Sequence, residues 1–240
     1  ARGRGKTIGR TGMSRIGLFG GTFDPIHSGH VTIVKKALAE GVVDEVVVIP
    51  AAVNPFKVGQ APGGTWDRLL LVRAAFNGFA HVRVDDREMR RGGVSYAIDT
   101  VREFAAEHPH DELVFLIGED SVAGLPRWKD YDELRNLCTF HVYPRTPESS
   151  TEVRTRLAEG KPIDDLVPPA VALFLAKKVR YQPDTRIVNV ILEGLRRKDG
   201  YCPCRIPKIP EYFCPCQEFR GQLADPAWHG LCHCRLYQKP

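Results

Sequence analysis

The chain has no cysteine in its first 137 residues, no acidic side chain before Asp24, and no apolar run approaching the roughly 20 residues of a membrane helix. Runs such as Val46 to Ile49 and Leu113 to Ile117 are strand-sized. The last absence predicts a soluble, cytoplasmic protein with no membrane partner. The second locates the charge. The formal net charge is +5, and Arg2, Arg4, Lys6, Arg10 and Arg15 supply all of that excess with no acid among them. The rest of the chain is net neutral, so no nucleic-acid partner is expected. Residues 1–12 also lack the apolar stretch of a secretory signal, and Met13 stands before the first strand like a natural start. They read as a disordered basic extension, with a basic arm as the alternative. The first absence gathers the cysteines, because six of seven lie between Cys202 and Cys234. In a chain without a secretory signal, such clustering points to metal binding or redox chemistry rather than structural disulfides.

What is present is a core of ordinary size, 43% hydrophobic over 240 residues, enough for one or two domains. From Arg15 to Tyr181, short apolar runs alternate with helix-period segments. Strands are predicted at Ile16 to Phe19, Glu45 to Ile49, His81 to Val84, Leu113 to Ile117 and Thr139 to Val142. Helices are predicted at Ser28 to Glu40, Trp66 to Phe76, Tyr96 to Glu107, Tyr131 to Leu137, Thr151 to Glu159 and Pro169 to Arg180. This rhythm gives an α/β fold, a Rossmann-like, doubly wound parallel sheet covered by helices, with ligands beyond the carboxyl ends of the strands. After Gln182-Pro183-Asp184 one amphipathic segment, Thr185 to Arg197, leads into a Cys- and Pro-rich tail. The expected domains are therefore 13–181 and 182–240.

Directly after the first strand comes Gly20-Gly21-Thr22-Phe23-Asp24-Pro25-Ile26-His27-Ser28-Gly29-His30. Glycines let the backbone approach a phosphate, and a helix starting near Ser28 offers unpaired N–H groups and a positive dipole end. His27 and His30, three apart, share one face of that first turn.

These residues resemble the HxGH nucleotidylyltransferases, and Gly20 to His30 is similar to the GGTFDPxHxGH opening of bacterial nicotinate-nucleotide adenylyltransferases. Ile49 to Lys57, Ser95 to Thr100, Ile117 to Ser121 and Trp128 to Tyr131 follow in that family's order and spacing. The resemblance implies adenylyl transfer from ATP to nicotinate mononucleotide, with release of pyrophosphate and without a covalent enzyme intermediate. It implies that His27, His30 and Lys57, with Mg²⁺, stabilise the triphosphate and the transition-state charge. ATP would be bound by Gly20, Gly21, Thr22, Phe23, His27, His30, Gly118, Asp120, Ser150, Thr151 and Arg154. The nicotinate nucleotide would be bound by Asn54, Lys57, Ser95, Tyr96, Thr100 and Trp128. Trp128 offers a flat surface for the pyridine ring, or else is a structural aromatic. Ser149 to Arg154 resembles the family's SSTxxR segment and is also an ordinary helix start. Only Pro144 to Glu148 joins it to the fifth strand, where relatives carry a longer insertion, so an edge strand is expected to be missing.

The tail reads Cys202-Pro203-Cys204, Cys214-Pro215-Cys216 and Cys232-His233-Cys234. In an extended segment residues i and i+2 point the same way, so each pair should present two sulfurs to one place. Six thiols divide naturally into four ligands and two for a redox disulfide. The CPC, CPC, CHC order resembles the catalytic subunit of ferredoxin:thioredoxin reductase. The resemblance implies a small C-terminal iron-sulfur domain in which Cys202, Cys214, Cys216 and Cys232 bind a 4Fe-4S cluster. Cys204 and Cys234 would form the active disulfide, with His233 beside it as a proton carrier. A thioredoxin-like protein and a ferredoxin-like electron donor would be its partners, making the chain a bifunctional enzyme. The alternatives are a redox-sensing, regulatory or zinc-binding docking module. Cys138 is expected to be a buried core residue.

Overall fold

The computed structural model of this chain describes residues 13–59 and 65–240. The basic stretch read as a disordered extension, residues 1–12, lies outside them. In chain order the elements are β1 (Arg15–Gly21), α1 (Ser28–Ala39), β2 (Glu45–Pro50), α2 (Thr65–Ala75), β3 (Val82–Val84), α3 (Arg87–Arg91), α4 (Ala97–Glu107), β4 (Glu112–Gly118), α5 (Glu119–Val122), α6 (Tyr131–Leu137), β5 (Thr139–Tyr143), α7 (Ser150–Ala158), α8 (Pro169–Ala176), β6 (Arg180–Tyr181), α9 (Thr185–Arg197), α10 (Gln217–Ala224), β7 (Gly230–Leu231) and β8 (Tyr237–Lys239).

The first five strands form a wholly parallel sheet of order β3-β2-β1-β4-β5. The apolar runs of β1, β2 and β4 are buried along both faces, as Val46, Val47, Val48 and Leu116 show at 0% exposure, because helices cover the sheet on each side. One core cluster joins α1, α2 and α8 to the sheet, and the other joins α4 and α6. Strand order reverses at β1, so the crevice beyond the ends of β1 and β4 is the topological switch point where ligands bind in open sheets. The expectation of a doubly wound α/β sheet holds at this level. Among the described residues no helix is long and apolar enough to cross a membrane.

The tail is built onto this frame rather than beside it. α9 buries Val188, Ile191, Leu192 and Leu195, the i, i+3, i+4, i+7 stripe of an amphipathic helix. They enter the same core cluster as α1 and α8, together with Phe219, Leu236 and Tyr237. β6 pairs antiparallel with β8, setting Tyr181 opposite Tyr237, and β7 completes a second sheet of order β6-β8-β7. The boundary drawn after Tyr181 therefore falls at a strand that bonds to the end of the chain. The sequence-based reading also missed α10, an eight-residue helix that buries only Phe219 and Leu223. So short an apolar stripe leaves little periodic signal.

Candidate functional site

The carboxyl ends of β1, β2 and β4 open onto a cleft of about 570 Å³ lined by the glycine loop, the α1 start, Asn54 to Lys57, Ser95, Tyr96, Gly118, Asp120, Trp128 and the Pro144 to Arg154 segment. The glycines have steric reasons. A Cβ on Gly21 would stand 2.9 Å from the Phe23 ring, and one on Gly29 would collide with Thr146 Oγ1. Phe23 itself holds φ at 48°, a left-handed conformation that costs a non-glycine residue roughly 1–2 kcal/mol. Its ring is locked by edge-on contacts to Phe19 and His30, with centroids 5.5 and 5.0 Å away.

His27 occupies the N-cap of α1 and His30 its third position. The His27 backbone N–H donates to His30 Nδ1 at 3.1 Å. In the neutral ring this places the His30 proton on Nε2 as a donor. The two rings stack at 3.6 Å. Burial drives the His27 pKa down to about 4, against an upward pull from Glu148. Burial, then the neighbouring His27 and Lys57, hold His30 well below the ordinary imidazole range. At neutral pH both rings are uncharged donors at a helix start, and a phosphate chain brought against them would pull both values up.

Around them the cleft is fastened to main chain. Ser150 Oγ donates to Pro25 O at 2.9 Å, and the Arg154 guanidinium bonds Asp24 O. Thr151 and Arg154 line the cleft from α7, whose N-cap is Ser149, its hydroxyl accepting from Glu152 N at 3.1 Å. Asn54 donates to Thr22 Oγ1 at 3.4 Å and accepts from Phe56 N at 2.8 Å. Ser95 Oγ accepts from Ala52 N at 2.9 Å. Trp128 lies edge-on to Phe115, and Lys129 stands 4.7 Å over the Tyr96 ring. Gly20, Gly118 and Asp120 line the wall below β4.

One expected residue falls elsewhere. Thr100 is 1% exposed, donates to Glu88 Oε1 at 2.6 Å and accepts from Arg91 at 2.7 Å. It lies one turn into α4 on the face turned into the core, and it does not line the cleft. Two residues were missed. Arg68, 1% exposed, donates from Nη1 to Thr22 O at 2.6 Å and from Nη2 to Ala52 O at 3.0 Å, tying the glycine loop to the end of β2. Its only sequence trace is an arginine at the head of the apolar run Leu69 to Val72. Glu148 folds over the α1 start, with Oε2 buried and without a hydrogen-bond partner. The short connection after β5 brings it there.

The six tail cysteines gather at a second place. Cys202, Cys214, Cys216, Cys232 and Cys234 are buried, Cys204 is exposed, and all are free thiols. Cys232 and Cys234 have their sulfurs 3.6 Å apart. Cys234 hydrogen-bonds to both Cys202 and Cys232, which pushes its own thiol pKa up and theirs down, and His233 adds to the lowering at Cys202. Cys214 donates to Tyr237 OH at 3.4 Å. Two of the three pairs do not sit on extended backbone as expected. Cys202 and Cys232 each open a turn, closed by Arg205 N→Cys202 O and Arg235 N→Cys232 O at 3.2 and 2.7 Å. That turn carries Cys204 out to solvent. No group of three His, Cys, Asp or Glu among the described residues already stands at metal-ligand spacing. Cys138, expected in the core, is buried at the C-cap of α6, its thiol pushed up to about 12 by desolvation.

Against known proteins, the profile of the cytidylyltransferase-like family matches residues 18–185, ending ahead of Cys202. A protein of Shouchella clausii named a probable nicotinate-nucleotide adenylyltransferase is 42% identical over 187 residues, 70% of this chain and 97% of its own length. A protein of the same name from Methylacidiphilum infernorum is 34% identical over 200 residues, 75% of this chain and 98% of its own. Among solved structures, a Plasmodium falciparum nicotinic acid mononucleotide adenylyltransferase complexed with NaAD overlays with a TM-score of 0.58 at 16% identity, covering 69% of this chain and 96% of that one.

Proposed function

Because this chain belongs to the nicotinate-nucleotide adenylyltransferases, a cytidylyltransferase-like family, we propose that residues 13–181 transfer the adenylyl group of ATP to nicotinate mononucleotide. The products are deamido-NAD and pyrophosphate, and the setting is cytoplasmic NAD biosynthesis. The observation that carries this reading is the His27–His30 pair on the α1 start, two buried neutral donors with one tautomer fixed. The nucleotide phosphate oxygen attacks the α-phosphorus in line, and the bond to the β,γ-pyrophosphate breaks. No side chain has to form a bond, so the protein's contribution is position and charge stabilisation. His27, His30 and the α1 N–H groups hold the oxygens whose charge grows. Lys57 and Arg154 flank the leaving pyrophosphate, with Ser150 and Thr151 below it. Gly20, Gly21, Thr22 and Phe23 shape the floor, and Gly118 and Asp120 the adenine side. Asn54, Ser95, Tyr96 and Trp128 face the nicotinate. Mg²⁺, when bound, neutralises triphosphate charge. Hard oxygen donors fit it here, Asp120 and Glu148 lining the cleft and Glu148 Oε2 having no other partner. Replacing both imidazoles, His27→Ala with His30→Ala, should lower pyrophosphate release by about 10³-fold or more, since one such donor is worth roughly 10²–10³. Release at an undiminished rate ends this assignment.

For the tail, the reading supported by six converging thiols is a 4Fe-4S disulfide reductase module. The residue types fit such a group, Cys202, Cys214, Cys216 and Cys232 each being a buried thiol, and binding would have to draw them to ligand spacing. When bound, the cluster supplies electrons one at a time. Cys204, the exposed sulfur, attacks the disulfide of a thioredoxin-like partner and releases one partner thiolate. Cys234 then attacks Cys204, closing their disulfide and freeing the second partner thiol. Two electrons from a ferredoxin-like donor and two protons, carried past His233, restore the pair. Anaerobically purified protein should hold about four irons per chain; protein with none ends the cluster reading. One observation favours a regulatory tail instead. α2 donates to the cysteine loop from Asn77, just past its end, and to the cleft from Arg68. Pyrophosphate release that changes with the oxidation state of the tail would select that reading.

A further inference from the structure

Where the tail meets the nucleotide-binding half, a group of buried charges is unbalanced. Asp86 is 3% exposed and is approached by three arginines: Arg90 at 2.8 Å, Arg196 of α9 at 3.1 Å, and Arg73 of α2 at 3.5 Å. Arg196 has a second carboxylate in Glu193, and Arg90 is half-exposed. Arg73 is the poorly served member. Its side chain is 11% exposed, and among the described residues its one ion pair is the longest of the three and its buried Nη1 has no hydrogen-bond partner. A guanidinium sealed in this way is costly unless negative charge faces it. The groups that face it besides Asp86 are Tyr181, Tyr237 and Cys214. Cys214 lies among the other tail thiols, and the Asn77 amide, just past the end of α2, donates to Pro215 O at 2.8 Å. Four thiolates around an iron-sulfur core carry net negative charge, and partners just beyond the ligands fix how firmly such a group is held.

We infer that Arg73, carried by the nucleotide-binding half, is the charge partner of the cysteine site, which binds an anionic metal–thiolate cluster only with α2 in place. This rests on reading the cysteines as a cluster site. The surplus positive charge at the Asp86 group is then balanced when the cluster is bound, and the two halves of the chain share one buried ionic site.

The test uses the full chain, purified anaerobically, as wild type, Arg73→Met and Arg73→Lys. Iron per chain is measured, then the rate at which iron passes to a ferrous chelator, with pyrophosphate release as the check on folding. Arg73→Met should lose iron about 10- to 100-fold faster, the usual cost of removing such a partner. Arg73→Lys should stay near wild type, and all three should release pyrophosphate equally. Equal iron retention in all three overturns the role of Arg73 and leaves the cluster standing. A wild-type chain that holds zinc or no metal overturns both. Should Arg73→Met cost the fold, seen as lost pyrophosphate release, Arg73→Gln beside Arg73→Lys decides: faster loss with Gln alone supports the charge role, and equal retention overturns it.

Discussion

The nucleotide cleft and the cysteine site solve opposite problems with the same buried core beneath them. In the cleft several polar side chains are held by main chain: Arg68 by two carbonyls, Ser150 by Pro25 O, Ser95 by Ala52 N, His30 by His27 N. In the cysteine site the sulfurs bond to one another, to the Tyr237 hydroxyl and to the Tyr237 N–H, while Arg73 Nη1 has no partner among the described residues. The first arrangement is rigid before substrate arrives, which is what in-line transfer asks of a site that only positions. On the proposed reading, the second would be completed by the cluster it binds, as in small metal domains whose metal is part of the fold.

The largest effect that would break this comparison concerns the shared core. Leu192 of α9 is 0% exposed and belongs to the cluster that also holds α1, α8 and Cys202. Leu192→Ala should cost about 2–5 kcal/mol. Since the core is common, calorimetry should show a single transition moving down with pyrophosphate release and iron loss following it together. Two separate transitions, with only the tail affected, would mean that the halves are independent and that α9 merely rests on the sheet.

A somewhat smaller effect tests the prebuilt cleft. The His27 pKa is lowered from 6.5 to about 4, chiefly by burial. Between those values the unfolded chain binds a proton that the folded chain refuses, so stability is full above pH 6.5 and falls as the pH drops toward 4. The shift corresponds to roughly 3 kcal/mol. In urea titrations the stability of His27→Asn relative to wild type should therefore rise by about that amount between pH 7 and pH 4. A constant difference would mean that His27 is solvated and that the cleft is not closed around neutral rings.

How far the sequence reached follows the same division. The sheet was legible because its central strands, β1, β2 and β4, are buried on both faces and so read as unbroken apolar runs, as in Val46 to Ile49. The cleft was legible where a loop must be glycine, as at Gly21 and Gly29. Thr100 was misplaced because spacing along α4 does not reveal which face turns inward. Arg68 was invisible because its role is to bond carbonyls of loops 16 and 46 residues away, and such pairing has no local signature. For the cysteines the residue types were legible and their backbone was not. Turns at Cys202 and Cys232 replaced the extended pairs, since a C-x-C spacing is equally compatible with either.

The smallest effect separates capping from catalysis within one serine-rich segment. Ser149, Ser150 and Thr151 read alike in sequence, yet the Ser149 hydroxyl accepts from Glu152 N at the start of α7 whereas Ser150 Oγ donates to Pro25 O. A serine N-cap replaced by alanine costs about 1 kcal/mol. Ser149→Ala should therefore lower stability by that amount and leave the KM for ATP within about twofold, because fraying is confined to the first turn of α7 and Arg154 lies beyond it. Ser150→Ala frees the Pro25 carbonyl beside the α1 start and should raise that KM with little loss of stability. If Ser149→Ala instead raises the KM as much as Ser150→Ala does, both hydroxyls meet the phosphates. The cap is then formed only while ATP is absent, and the cleft is completed by its ligand.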